Sequence, residues 1–288
     1  MSLSPPTAAL LGRFHARKPA RIWSLIVTLY GDAIVPRGGS LWIGSLIEIM
    51  ALFGIDAGHV RTAVSRLSSE GWLVSTKRGR ASYYRLTRIG EAEFLQATQR
   101  IYAGVPAIQG DMQVAVLGPA AAEPTALRGQ LKAAGYAAVS PAIHVGFRAL
   151  PPDLSDRTGL FLMTPRPQDR RALAAAAFPI DAVSQGYREF VAQFSPLSEA
   201  FIANAPGEEE ALVARTLLIH AFRRVVLRDP GLPRDFLPAD WQGLDARALA
   251  GRIYKAVAGP SERLLDRIAR NEDGPLRPAA EALHDRLA

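Results

Sequence analysis

The sequence predicts an α+β multidomain protein, and three observations carry that reading. A stretch with helical apolar spacing at residues 57–70 passes directly into a two-strand hairpin at 73–86 with a basic tip. The middle of the chain runs strand, helix, strand, strand, helix, as a split α+β unit does. Most of the last hundred residues carry apolar side chains at helical spacing.

The length of 288 residues allows two or three domains. Hydrophobic residues make up 49% of the chain, and no uncharged apolar run reaches the 18 residues of a membrane span. The first 19 residues read as a loose tail, not as a signal peptide. Cysteine is absent, which excludes disulfides, thiolate metal sites and cysteine nucleophiles. A cytoplasmic protein is expected. The net charge is +7, and its placement is informative. Residues 1–104 hold 13 Lys/Arg against 6 Asp/Glu, while residues 105–288 hold 21 of each. The whole positive excess therefore sits in the first third, where it would attract polyphosphate.

In that third, Ile22, Leu25, Ile26 and Leu29 recur at helical spacing within residues 21–30. Residues 31–39, with Pro36 and three glycines, read as a loop. A second helix follows at 42–53, closed by Gly54. Asp56 caps a third helix, whose apolar stripe is Val60, Ala63, Val64 and Leu67. Arg61, Thr62, Ser65 and Arg66 lie away from that stripe, and His59 sits in the first turn. Short polar side chains allow close approach to a major groove, and arginines reach guanine edges or phosphates. Taken alone, the same face also fits plain solvation.

Gly71 ends this helix, and Trp72 and Leu73 begin the hairpin. Lys77, Arg78, Gly79 and Arg80 stand at its turn. Charges gathered on a hairpin tip suit a phosphate backbone or the minor groove beside it. Helix followed by basic hairpin is the order of a winged helix-turn-helix, so the expected partner is double-stranded DNA. Thr87 then caps a helix that runs to about residue 103, and residues 104–110 form a boundary.

Two segments together resemble a known family. The first is VRTAVSRLSSEGWLVSTKRGRASYYRLT, from residue 60. The second is HAFRRVVLRDPGLPRDFLPADW, residues 220–241. They are similar to the phenylacetic-acid-degradation repressor (PaaX) family of bacterial transcriptional regulators. Its R-R…D-P-x-L-P…L-L-P-x-D-W pattern is met by Arg223, Arg224, Asp229, Pro230, Leu232, Pro233, Leu237, Pro238, Asp240 and Trp241. Phe236 departs from it. The resemblance implies an N-terminal winged helix at 20–104 and a C-terminal helical domain at 186–288. Between them, at 105–185, it implies a ferredoxin-like domain like that of small CRISPR-associated nucleases, used for dimerisation. It further implies a homodimeric repressor of aromatic-catabolism genes, released from its operator by an acyl-CoA such as phenylacetyl-CoA. The segment SPAIHVGFRAL departs from the aromatic-rich stretch expected in the central part.

Read on its own, that central part offers strands at 112–117, 136–139, 143–147 and 159–163, helices at 123–134 and 170–177, and a weak last strand near 180–183. Asp111 precedes the first strand, and a metal-dependent nuclease would need a second acidic partner there that does not present itself. A winged helix used for protein contact is the other rival. Downstream, a helix at 187–201 is expected to break near Pro196. Glu208–Glu210 open the next helix, at a positive helix start. On that helix His220 stands three and four residues before Arg223 and Arg224. The three face either a phosphate-bearing effector or nearby carboxylates. Residues 271–288 read as a frayed tail. Phosphate-cradling glycine patterns, paired metal ligands and a nucleophile elbow are all missing, so no enzyme, cofactor or metal is expected.

Overall fold

The computed structural model describes residues 3–17, 22–105, 110–278 and 286–287. It divides into two compact units. One holds Met1–Gly104, Tyr187–Leu227 and Gln242–Ala288; the other holds Val105–Gly186 and Arg228–Trp241. The three domains expected from sequence are thus regrouped: the first and last share a unit, and residues 228–241 join the middle one. Residues 1, 2, 18 and 19 of the expected tail and 106–109 of the expected boundary lie outside the described residues.

The tail is a helix, α1 (Pro5–Ala16). Prolines at its start cost no hydrogen bond. Ser4 donates to Glu210 through N (2.8 Å) and Oγ (2.5 Å), and Thr7 adds a bond of 2.7 Å. Leu10 and Phe14 are buried. Segment α2 (Ile22–Leu29) runs into a wide helical turn, Tyr30–Ile34, and a tight one, Val35–Arg37. Most of the expected loop is therefore helical. Gly31 is there for packing: a Cβ would stand 1.8 Å from Cε2 of Phe94, so the aromatic ring packs directly on the backbone.

Strand β1 (Leu41–Trp42) leads to α3 (Ile43–Ala51) and α4 (Ala57–Ser69). Val60, Ala63, Val64 and Leu67 of α4 are buried, as the spacing predicts. Strands β2 (Leu73–Arg78) and β3 (Ala81–Leu86) pair antiparallel, with Arg78 opposite Ala81 and a two-residue turn at Gly79–Arg80. β1 adds to β3, giving the order β1-β3-β2. Helix α5 (Arg88–Thr98) starts on Thr87, whose Oγ1 accepts from the Gly90 N–H at 3.1 Å.

The central unit holds a four-stranded antiparallel sheet. Its strands are β4 (Gln113–Leu117), β5 (Ala137–Ala138), β6 (Ile143–Gly146) and β7 (Leu160–Met163), in the order β5-β6-β4-β7. The helices between and after them are α6 (Pro124–Ala133), α7 (Pro152–Ser155) and α8 (Arg170–Ala177). Met112, Val114, Val145 and Phe147 form one core with Ala174 and Phe178. Leu232, Phe236, Leu237 and Trp241 from the 228–241 segment pack on that same core, which is why the segment belongs here.

The expected last strand at 180–183 is instead the start of α9 (Ile180–Ala203). Its β-branched residues favour a strand locally, but Ile180 and Val183 are buried on a helical face. Pro196 lies inside α9 without ending it. Helices α10 (Glu208–Val226) and α11 (Gly243–Ile268) pack on each other, and α11 likewise continues through Pro260. The expected frayed end at 271–288 begins instead as a short hairpin of β8 (Arg270–Asn271) and β9 (Gly274–Pro275), anchored by buried Leu276, while residues 279–285 and 288 lie outside the described residues.

A buried charge network joins α10 and α11 to the turn after α2. Arg215 is fully buried; its Nε donates to Asp32 Oδ2 at 2.6 Å and its Nη1 meets Glu262. Glu262 also accepts from Arg37 Nε at 2.8 Å. The hydroxyls of Tyr102 (2.5 Å) and Tyr254 (3.0 Å) donate to Asp32 Oδ1. Buried ions persist only when so paired.

Candidate nucleic-acid interface

Helix α4 begins on Asp56, whose Oδ1 accepts from the N–H groups of Gly58 (2.8 Å) and His59 (3.0 Å). The His59 ring Nδ1 meets the other carboxylate oxygen. That bond, foremost, holds the Asp56 carboxyl below its ordinary pKa. His59 is therefore part of the helix cap, with its ring exposed.

Arg61, Thr62, Ser65 and Arg66 are all exposed on the face opposite the buried stripe. Thr62 bonds back to the Gly58 carbonyl at 3.0 Å. Arg66 is oriented from two sides. Its Nε donates to Glu70 Oε1 at 2.7 Å, and its guanidinium lies 5.3 Å from the Trp23 ring centroid. Trp23 and Glu70 did not figure in the sequence reading. Glu70, one helical turn from Arg66, was legible as an i,i+4 pair; Trp23 carries no such signal.

The hairpin presents Lys77, Arg78 and Arg80, all exposed. Gly79 adopts φ +60°, which the tight turn requires. Among the described residues, Lys77 and Arg80 have no ion-pair partner within 4 Å. Arg78 does: its Nη1 donates to the Glu272 carbonyl at 3.2 Å and lies 3.6 Å from Asp273 Oδ1. The hairpin base is fixed by buried Tyr30, whose hydroxyl donates to the Tyr84 carbonyl at 3.0 Å.

The second cluster lies where α10 meets α2. His220 is buried, which corrects the expectation that it faces a ligand. Thr28 Oγ1 donates to the Ser24 carbonyl at 2.9 Å, so His220 Nδ1 donates to Thr28 at 3.1 Å. Burial, and then the charges of Arg223, Arg224 and Arg17, push the His220 pKa down to about 3. Arg223 donates through Nη2 to Ser24 Oγ at 2.6 Å, while its buried Nε has no hydrogen-bond partner. Among the described residues no carboxylate lies within ion-pair reach of Arg223, so the carboxylate alternative fails for it. Arg224 is exposed.

Asp111 is exposed just ahead of β4. Among the described residues no three His, Asp or Glu side chains are grouped as a metal site. No helix among them is long and apolar enough to cross a membrane. The central unit also holds a cavity of about 470 Å³ between Phe178, Ile180, Phe236 and Leu237, with Arg171 at its rim.

Comparison with known proteins adds the following. The family model described as PaaX-like protein matches residues 21–90. The one described as PaaX-like protein C-terminal domain matches residues 178–267. The transcriptional repressor PaaX of Escherichia coli (strain K12) is 34% identical over 253 residues, covering 82% of this chain and 80% of the relative. An uncharacterized protein of known structure from Mycobacterium tuberculosis aligns at a TM-score of 0.45 and 20% identity, over 75% of this chain and 88% of that one. On the two family matches and the extent of the 34% identity, the chain belongs to the PaaX-like family.

Proposed function

We propose that this protein is a DNA-binding transcriptional repressor of phenylacetate-type catabolism genes. One observation carries the reading. Helix α4 exposes Arg61, Thr62, Ser65 and Arg66 on a face free of large apolar groups, directly ahead of a hairpin whose Lys77 and Arg80 pair with no described residue. The order of α3, α4 and the β1-β3-β2 sheet supports a winged helix-turn-helix reading. In it α4 enters the major groove and the hairpin lies along the backbone as the wing. The family and the name of the E. coli relative support the same reading.

The central sheet order β5-β6-β4-β7, all antiparallel, supports a ferredoxin-like reading of the central unit. The protein acts as a homodimer through this unit, whose edge strand β7 exposes Phe161 and Met163. The effector is an aryl acyl-CoA such as phenylacetyl-CoA. Arg223 and Arg224 receive its anionic end. Release needs the effector to favour a state that does not fit DNA. The protein works in the cytoplasm, on double-stranded DNA.

Filter binding to a duplex selected from random-sequence DNA, and to its scrambled counterpart, at two salt concentrations tests this. Arg61→Ala and Arg66→Ala should lower the preference for the selected duplex. Lys77→Ala and Arg80→Ala should weaken binding to both and flatten the salt dependence by about 0.9 each per lost phosphate contact. Unchanged affinities in all four variants would remove α4 and the hairpin from the interface.

A further inference from the structure

The β8–β9 hairpin is an acidic object placed against a basic one. Its turn carries Glu272 and Asp273, and it is held from several directions. Ser45 Oγ donates to the Ile268 carbonyl (2.8 Å) and accepts from the Arg270 N–H (3.1 Å). Leu276 is buried beside it, and its N–H donates to the Ala269 carbonyl at 3.2 Å. Ser40, just ahead of β1, donates through Oγ to Glu272 Oε2 at 2.5 Å. Asp273 N–H donates to Asn271 Oδ1 at 2.9 Å, which shapes the turn. The turn is therefore positioned, and what it meets is Arg78, the last residue of β2.

We propose that Glu272 and Asp273 are specificity-determining residues of the DNA interface, which hold Arg78 away from phosphate and keep sequence-independent binding low. The inference rests on the reading of β2–β3 as a DNA-contacting wing. Its physical basis is a difference in reach. Attraction between basic groups and phosphates acts on any duplex and supplies essentially all non-specific affinity. Two carboxylates at the wing subtract from it in two ways. The Asp273 carboxylate, with the Glu272 backbone carbonyl, occupies one of three tip cations, and both carboxylates repel phosphates within a Debye length of about 8 Å at physiological salt. Contacts from α4 to base edges lie on another element and are read only on a matching site. Specificity is a difference of affinities, so weakening the common part raises it. Arg78 and Asp273 are both more than half exposed, so their 3.6 Å pairing is one that a phosphate can replace. The Ser40 bond, foremost, keeps the Glu272 carboxyl below its ordinary pKa, so the negative charge persists through the neutral range.

The test uses the full chain with Glu272→Gln and Asp273→Asn together. Glutamine retains an oxygen for Ser40, so the turn stays seated. The probes are a duplex recovered by selection from random-sequence DNA and a scrambled duplex of the same composition. The double variant should bind the scrambled duplex about 5- to 10-fold more tightly. Its log–log salt slope should steepen by about 0.9, the value of one added phosphate contact. The ratio of selected to scrambled affinity should fall. Adding Arg78→Ala should remove the steepening and most of the gain. An unchanged slope and ratio in the double variant would overturn the proposal, as would a gain that survives undiminished without Arg78. A wild-type protein that retards neither duplex would instead overturn the wing reading, and this proposal with it.

Discussion

The Arg66 guanidinium lies 5.3 Å from the centroid of the Trp23 ring, which ties the outer face of α4 to the start of α2. Glu70 holds the same guanidinium through Nε, and the Arg66 side chain remains more than half exposed. A bidentate contact to guanine needs the fork held in one plane, and a stacked, hydrogen-bonded arginine has already lost most of its freedom. Trp23→Leu should therefore lower the affinity for a selected duplex about 3- to 10-fold and leave scrambled DNA nearly untouched. Equal weakening on both duplexes would mean that Trp23 supports the fold and not the contact.

The cation pair on α10 should respond to an anionic thioester. Arg223 has a buried Nε with no hydrogen-bond partner, and Arg224 is exposed one residue on. Binding to the folded state alone raises the melting temperature by mass action. Phenylacetyl-CoA should raise it for the wild type and fail to do so for Arg223→Gln with Arg224→Gln. Arg171→Ala, at the rim of the central cavity, should leave the rise intact. The opposite pattern would move the effector to that cavity.

His220 sets a pH dependence whose sign is fixed. Its native pKa of about 3 lies below the ordinary histidine value, so between these two the unfolded chain binds more protons than the folded one. Stability is therefore highest above about pH 6.5 and falls as the pH drops toward 3, by up to about 1.4 kcal/mol per unit. Urea unfolding at pH 7.5 and pH 5 should differ by about 2 kcal/mol from this group. In His220→Gln, where nothing titrates at that position, the difference should shrink by that amount. A pH dependence identical in the two proteins would show that the buried ring does not carry it.

What the sequence made legible was local. The stripe Val60, Ala63, Val64 and Leu67 is a period, and the Asp56 and Thr87 caps are single residues before one. The outward set His59 to Arg66 followed from the stripe by subtraction. What stayed hidden depends on distance along the chain. Asp32 and Arg215 are 183 residues apart, and Asp32 sits where glycines and a proline suggested a loop. Two-residue β1 is too short to show alternation. Pro196 suggested a break, yet burial of residues on both sides carries α9 through it. The expected tail at 271–288 hid the turn that meets Arg78, because a pair of acids reads as solvated until its partner is known. His220 seemed a ligand group because its neighbours are arginines; only the packing of α10 on α2 turns it inward.

The Asp32–Arg215 pair should be costly to break from one side. Arg215→Met leaves Asp32 buried, facing two tyrosine hydroxyls and the more distant Arg286 guanidinium, 3.4 Å from Oδ1, without its chief counter-charge. Removing one partner of such a pair costs about 3–5 kcal/mol. Asp32→Asn with Arg215→Met should recover part of that loss, since the carboxylate that lost its arginine is then neutral and the cation left beside it, Arg286, is the less buried of the two arginines. Urea unfolding of the three variants measures it. Purely additive losses would mean that the two side chains stabilise independently.

Gly31 offers the sharpest test of how the N-terminal elements close on one another. Its backbone lies under the edge of the Phe94 ring, and a methyl group there would fall 1.8 Å from Cε2 and 2.3 Å from Cζ. No rotation of a methyl relieves that overlap, so in Gly31→Ala either the ring swings out or α5 moves away. Phe94 is half-buried, which limits the cost of swinging out to roughly that of an overpacked side chain, about 1–3 kcal/mol. Gly31 lies in a helical turn, where alanine is by itself the better helix former by about 1 kcal/mol. The two effects oppose each other and are separated by removing the ring. In a Phe94→Ala background, Gly31→Ala should become neutral or stabilising, whereas in the wild-type background it should destabilise. Unfolding free energies for the four proteins of this cycle give the coupling directly. A coupling near zero would show that Phe94 does not rest on Gly31 in solution.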